Sequence, residues 1–342
     1  MGKIKTKDIA ELGYSNRKFW DRVLPENPKK FLTEVNECNN CSSFKIKFLE
    51  NLEPAQLFVC QCCQHVFLSP RLSDETLSML YADNEGQLSI ERGGQLKAYM
   101  ESRFATMKAE MFYPEKIKVE SLLDIGCGWG HFLSVAQHEF QKVEGVELST
   151  KQSQWARERL NLKVSSQDIY EFKSDRTYSV ISIWEVIEHL TQPEKMIRWC
   201  HEHLESGGQL VLSTPNYNSL YRKILGNRWF YYIPSQHISY YNVKSLTHLL
   251  KSCGFSQIRC CTSGRSLWKE RTNRHNQINL NLSLREQWLQ SLSLRSVIED
   301  ERDEVPSAKS TLQRGLERLL WRFLPTLYKR GYGDQLRVYA MK

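Results

Sequence analysis

Three groups of side chains in this sequence have the types and spacing for chemistry. Cys38-x-x-Cys41 and Cys60-x-x-Cys63 are two thiol knuckles. Four thiolates in two such pairs suit a closed tetrahedral zinc site, structural because it leaves no open position. The competing reading is a set of buried free thiols under a small hairpin. Cys62, inside the second knuckle, reads as a spare thiol pointing away. The second group is Glu185-Val186-Ile187-Glu188-His189. Its acids and imidazole stand three and four residues apart, which puts them on one side of a helical turn. With His237 of Pro234-Ser235-Gln236-His237-Ile238 they could orient an acceptor and take its proton. The third group is Asp124-Ile125-Gly126-Cys127-Gly128-Trp129-Gly130, followed by Glu147. Glycines let the backbone approach a ligand, a helix start offers unpaired N–H groups, and an acid at the tip of the next strand can accept both hydroxyls of a ribose.

The elements that must hold these groups alternate strand and helix. Leu122–Ile125 reads as a buried strand, His131–Glu139 as a helix, and Val143–Val146 as a second strand. Thr150–Leu160 is a helix capped by Ser149 or Thr150. Val164–Asp168 is a short strand and Tyr178–Trp184 a continuous β-favouring run. Pro193–His203 is a helix, Gly207-Gly208 a turn, and Gln209–Thr214 a strand leading to Pro215-Asn216. Asn242–Cys253 is a helix stopped at Gly254, and Phe255–Thr262 and Gln335–Met341 are the last strands. Such alternation predicts an α/β fold, a mostly parallel sheet covered on both faces, with ligands outside the carboxyl ends of the strands. Around the knuckles, Phe44, Ile46 and Phe48 form one side of a strand whose return carries Leu57 and Val59. Gln95–Phe112 is an amphipathic helix that either covers the ligand pocket, with Tyr99 and Arg103 facing it, or simply packs.

At 342 residues the chain holds one large domain with an accessory module, or two domains. A quarter of it is charged and its mean hydropathy is −0.51, values of an ordinary soluble protein. No apolar run approaches the roughly 20 residues that span a bilayer. The first twenty residues lack the apolar core of a secretory signal, and Gly2 with Thr6 is a weak myristoylation match. Ten cysteines without a signal argue for reduced thiols and a cytoplasmic location. The net charge of +8 is spread widely and selects no partner. The ribbon carries Lys45 and Lys47 among neutral and acidic residues, a poor footprint for nucleic acid, so a brace against the core is the simpler role.

Counted from Gly126, a dinucleotide fingerprint would need a small residue where His131 stands. The register here is D-x-G-x-G-x-G, which resembles the first motif of class I S-adenosylmethionine (SAM) methyltransferases. The resemblance implies a Rossmann-like seven-stranded sheet with an N-terminal zinc ribbon. It also implies a SAM site formed by Asp124, Gly126, Cys127, Gly128, Gly130, Glu147, Leu148, Asp168, Ile169 and Trp184. Glu147 would take the ribose and Asp168 the adenine amino group, although Asp168 also reads as a plain turn residue. His65-Val66-Phe67-Leu68-Ser69-Pro70-Arg71 and the helix ending near Leu80-Tyr81 look like ribbon-bearing bacterial methyltransferases, often tied to surface-glycan or metabolite synthesis.

Glu-x-x-Glu-His resembles ubiquinone-pathway O-methyltransferases and, with a later histidine, small-RNA 3′-terminal 2′-O-methyltransferases. Those relatives imply a divalent cation, Mg²⁺ or Mn²⁺, gripping two adjacent hydroxyls; the alternative is His189 alone as general base. The implied function is O-methylation of a sugar or other vicinal diol in a small-molecule or glycan acceptor. An RNA methyltransferase and a non-catalytic scaffold are the alternatives. In such folds the last two strands meet in a tight turn, whereas here residues 263–333 intervene, too long for a structureless loop. They would emerge on the ligand face as a helical cap. Within them Thr311–Lys329 lines up Leu312, Leu316, Leu319, Leu320, Phe323, Leu324 and Leu327 opposite Arg314, Arg318, Arg322 and Lys329. That helix either docks on its own core or lies against a membrane surface. The chain thus divides into a ribbon module (1–90), a SAM-binding core (91–262), a cap (263–333) and a last core strand (334–342).

Overall fold

The structure is a computed structural model and describes residues 31–52, 55–82, 93–112, 120–229, 231–263, 326 and 328–342. The expected helix over 311–329 and nearly all of the expected cap lie outside these residues. Among those described, no helix is long and apolar enough to cross a membrane.

The chain opens with β1 (Leu32–Thr33), then the knuckle hairpin β2 (Ile46–Leu52) and β3 (Ala55–Cys60), then β4 (Val66–Ser69), β5 (Arg71–Leu72) and helix α1 (Asp74–Ala82). Helix α2 (Gly93–Glu110) precedes β6 (Ser121–Ile125), α3 (His131–Ala136), β7 (Lys142–Glu147), α4 (Thr150–Leu160), β8 (Lys163–Ser166) and β9 (Tyr178–Trp184). Then follow α5 (Pro193–His203), β10 (Leu204–Pro215), α6 (Leu220–Leu225), β11 (Ser239–Tyr240), α7 (Val243–Ser252), β12 (Ser256–Ser263) and β13 (Gln335–Met341). Seven strands form one sheet in the order β12-β13-β10-β9-β6-β7-β8, in which β13 runs antiparallel to both its neighbours. The sequence-implied α/β architecture is therefore the observed one.

Period-two alternation sends the strand side chains to two cores. Leu123, Ile125, Ile181, Ile183, Leu210, Leu212 and Val338 meet Met196, Ile197 and Cys200 of α5 and Leu246, Leu249 and Leu250 of α7. Leu122, Val180, Trp184, Val211 and Tyr339 meet Phe104, Met107, Phe132, Leu133 and Ala156 of α2, α3 and α4 on the other face. Local chemistry sets the helix ends. Ser149 Oγ accepts the Gln152 N–H, while Asn242 and Ser245 form a reciprocal capping box at the start of α7. Glu110, at the end of α2, is clamped by Arg337 Nη2 at 2.6 Å and by the Tyr339 hydroxyl at 2.8 Å.

Four details differ from the sequence reading. Helix α3 stops at Ala136, and 137–139 continue as turns. β8 ends at Ser166, which leaves Asp168 beyond the strand. Gly207-Gly208 is not a turn between elements; it lies within β10, where Gly207 at φ 77° accompanies a register shift against β9. In the knuckle hairpin Phe44 and Phe48 face water, 75% and 48% exposed, while Ile46 between them packs against the cysteine cluster and Leu57 of the return strand is buried; β2 begins only at Ile46.

β7 needs glycine at 145, because a Cβ there would lie 2.6 Å from Cys127 Sγ and 2.8 Å from Leu133 Cδ1. Gly145→Ala should destabilise the fold by about 1–3 kcal/mol through overpacking. Urea unfolding reads this out; an unchanged midpoint would contradict the packing described.

Candidate functional site

The glycine turn leaves β6 with its backbone in the left-handed region. Gly126 has φ 68°, and a Cβ there would sit 2.5 Å from Val186 Cγ2; Gly130 has φ 74° and abuts Leu162. Both positions therefore exclude larger residues. Glu147, at the tip of β7, holds this turn: Oε2 accepts the Gly128 N–H at 2.8 Å and Oε1 the Ser149 N–H at 2.9 Å. Burial raises the Glu147 carboxyl above its ordinary range, while N–H donors from Ser149, Gly128 and Leu148 oppose that rise. Cys127 is buried beside the turn. Asp124, in β6, accepts the Ser182 hydroxyl at 2.6 Å.

Arg103 reaches in from α2 with its guanidinium 4.9 Å from the Trp184 ring and 5.1 Å from the Tyr99 ring. It lies within electrostatic reach of Glu185 and Asp124. Asp168 Oδ1 accepts the Tyr170 N–H at 2.8 Å, which is the turn role, and Ile169 packs against the core.

The second half of the site begins where β9 ends. Glu185 stands at φ 54°, a sparsely populated conformation for a residue with a side chain. It is pinned there by its N–H to Ser213 O at 3.0 Å, by the Ser213 hydroxyl, and by Gln335 Nε2 at 2.9 Å on Oε1. This corrects the expectation that Glu185 shares a helical side with Glu188 and His189. The helical turn is a short 3₁₀ segment, Ile187–His189, that starts after Glu185. Glu185 consequently stays out of the cluster formed by Glu188, His189 and His237, whose ligand-type atoms all lie within 4.8 Å of one another.

Glu188 is buried. Its Oε2 accepts the Thr214 hydroxyl at 3.0 Å, and its Oε1 has no hydrogen-bond partner among the described residues. Burial, reinforced by the Glu185 charge, pushes this carboxyl well above its ordinary range. His189 Nδ1 lies 2.7 Å from the Tyr81 hydroxyl and 3.0 Å from Gln236 O. His237 Nδ1 lies 2.8 Å from Tyr231 O. A carbonyl can only accept, so His237 carries its proton on Nδ1 and its lone pair on Nε2. The two imidazole rings are 4.9 Å apart. Burial lowers His237 to about 3, with His189 adding to the effect, and burial lowers His189 too, which favours the neutral form of both rings. Sequence reasoning gave Tyr81, Thr214 and Gln335 no role at the site, because each comes from a segment distant from Glu185–His189.

The four knuckle cysteines also converge. Cys38 Sγ and Cys63 Sγ are 3.6 Å apart, as are Cys41 Sγ and Cys60 Sγ, and all four lie within 4.8 Å of one another. A tetrahedral ion about 2.3 Å from four thiolates separates the sulfurs by about 3.8 Å, so the residues present fit zinc. Cys62 is exposed and faces the Ser43 hydroxyl at 3.2 Å, outside the cluster.

Asp124 supplies a pH test. Burial, with the Glu147 charge adding and Ser182 and Arg103 opposing, raises its carboxyl from 3.8 to about 7. An acid raised on folding contributes stability that is complete below its unfolded value and is lost as pH rises through the folded one. Asp124→Asn should therefore raise the melting temperature of the ligand-free protein at pH 8, and the gain should vanish at pH 4. An equal gain at both pH values would contradict the assignment.

Residues 96–259 match the family model described as a methyltransferase domain. Over 108 residues the chain is 31% identical to a ubiquinone biosynthesis O-methyltransferase of Coxiella burnetii, covering 30% of this chain and 46% of that relative. A second ubiquinone biosynthesis O-methyltransferase, from Nitrosospira multiformis, is 27% identical over 106 residues, or 29% of this chain and 44% of the relative. The chain thus spans less than half the length of these curated relatives. Among solved structures, a SAM dependent methyltransferase from Archaeoglobus fulgidus aligns at a TM-score of 0.46 and 17% identity, over 72% of this chain and 94% of that one. With the glycine turn at Gly126–Gly130 and the acid at Glu147 in place, residues 96–259 are a class I SAM-dependent methyltransferase domain, preceded by a four-cysteine cluster.

Proposed function

We propose that this chain moves the methyl group of SAM to a hydroxyl of an acceptor presenting two neighbouring oxygens, a sugar or other vicinal diol in a small molecule or glycan. The observation that carries this reading is Glu188: a buried carboxylate with one oxygen unpartnered, grouped with two neutral imidazoles. Both imidazoles have Nδ1 against a main-chain carbonyl, the arrangement that fixes the ring orientation of metal-binding histidines. Glu188, His189 and His237 fit a divalent cation, Mg²⁺ or Mn²⁺, and such an ion would lower the pKa of a coordinated hydroxyl and orient it.

The chain's own residues do the rest. Glu147 holds the glycine turn and offers its carboxylate to the ribose. Arg103 brings positive charge over the Trp184 ring, within electrostatic reach of Glu185 and Asp124. Glu185, fixed by Ser213 and Gln335, stands between the two halves. In-line displacement breaks the methyl–sulfur bond and forms the methyl–oxygen bond, the hydroxyl releases its proton to solvent, and the sulfonium becomes the uncharged thioether of S-adenosylhomocysteine. Zinc is our reading of the four-cysteine cluster, with a structural role.

Two measurements test this proposal. Calorimetry with S-adenosylhomocysteine should show saturable binding, weakened at least about tenfold in Glu147→Ala, a loss of ~1.4 kcal/mol. Absence of binding would reject methyl transfer and leave a scaffold. Mn²⁺ titration followed by electron paramagnetic resonance should show one tight site that Glu188→Gln abolishes while S-adenosylhomocysteine binding persists. Unchanged Mn²⁺ binding in that variant would remove the cation and leave an imidazole as general base.

A further inference from the structure

The short strand β11 does not belong to the methyltransferase sheet. It completes the ribbon, whose sheet runs β11-β4-β3-β2. Ser239 pairs with Phe67 and Tyr240 with Val66, and Ile238 O accepts the Leu68 N–H at 3.1 Å. The residue before Ile238 is His237, and the Ile238 N–H donates to Glu188 O at 3.0 Å. One residue thus carries a main-chain bond to the ribbon on one side and to the Glu188 turn on the other.

The knuckles reinforce this link. Asn39 and Asn40 are the two residues between Cys38 and Cys41, and Gln64 and His65 directly follow Cys63. Asn39 Nδ2 donates to Ser239 Oγ at 3.0 Å, and His65 Nε2 lies 3.3 Å from the same oxygen. Asn40 Nδ2 lies 3.1 Å from Ser245 O and 3.5 Å from Cys63 Sγ, so it joins a ligand sulfur to the start of α7. Gln64 O accepts Asn242 Nδ2 at 2.9 Å. Asn40, His65, Ser239, Asn242 and Ser245 are all buried, which makes these bonds expensive to lose. The contacts of the residues framing the four thiols converge on 238–245, not on the glycine turn or on Glu147.

We propose that the four-cysteine ribbon is the positioning element of the acceptor site. A metal ion on Cys38, Cys41, Cys60 and Cys63 fixes the knuckles, the knuckles fix 238–245, and Ile238 then sets His237 against Glu188 and His189. The cofactor half stands on the seven-stranded sheet and does not depend on that ion. This rests on reading Glu188, His189 and His237 as the acceptor group.

Hydrogen exchange followed by mass spectrometry on the full chain, zinc-loaded and after chelation, tests the coupling without any turnover. Peptides covering 186–190 and 231–245 should exchange roughly tenfold faster after chelation, as the loss of one or two buried hydrogen bonds implies. Peptides covering 121–168 should not change, and the affinity for S-adenosylhomocysteine should hold. Uniform acceleration across the chain, including global unfolding, would overturn the proposal, as would unchanged exchange at 237–241. Ser239→Ala gives a second reading with the metal retained. Zinc content by elemental analysis should stay the same while exchange at 237–241 rises and the His237 ring-nitrogen resonances move. Unmoved resonances and unmoved exchange in that variant would contradict the link. A chain that shows the expected pattern but transfers no methyl group supports the coupling while removing the acceptor reading.

Discussion

The main-chain carbonyl of Glu188 accepts the N–H of Ile238, and the carbonyl of Ile238 accepts the N–H of Leu68. These two bonds join the methyltransferase sheet, the segment that carries His237, and the ribbon. Each is an ordinary backbone bond worth about 1 kcal/mol net, but a buried one that cannot be dropped without stranding its partner. They act beside the bonds that hold each side chain, Thr214 on Glu188 and Tyr231 O on His237. Glu188 reaches its place from the end of β9 and His237 from the end of a loop; Ile238 links them through the main chain, and the contact of His189 Nδ1 with Gln236 O adds a second link.

The electrostatics of that junction explain its chemistry. A buried carboxylate with a free oxygen costs several kcal/mol unless a cation or a proton compensates it. Here the nearest groups are another acid, Glu185, and two imidazoles that burial keeps neutral. A junction of this composition suits incoming positive charge, as the proposed cation requires. The cofactor half follows a different logic. Asp124 and Glu147 are satisfied by a hydroxyl and by backbone N–H groups, and Arg103 supplies a fixed positive charge nearby.

Much of this was legible in the sequence where the signal is local. Thr150–Leu160 and Pro193–His203 matched their observed bounds because periodicity, a serine cap and a proline at the first turn mark helices within a few residues. The cysteine spacing announced a four-thiol cluster, which the fold then closed. What was not legible came from contacts between remote segments. β11 has two residues and pairs with a strand far earlier in the chain, so no pattern around Ser239 could reveal it. The left-handed backbone at Glu185 removes that acid from the cluster, and spacing alone placed it inside. Phe44, Ile46 and Phe48 gave an apolar alternation whose burial could not be read from sequence: the two phenylalanines face outward and Ile46 packs against the cysteine cluster.

We propose that one chain holds two distinct metal-ligand groups, and that the second marks the acceptor end of a methyltransferase site. Anomalous diffraction from crystals grown with S-adenosylhomocysteine and soaked in Mn²⁺ tests it most directly. A zinc-edge peak is expected among Cys38, Cys41, Cys60 and Cys63, and a manganese-edge peak bounded by Glu188, His189 and His237. A manganese map empty at Glu188, with its carboxyl paired to a protein group instead, would contradict it.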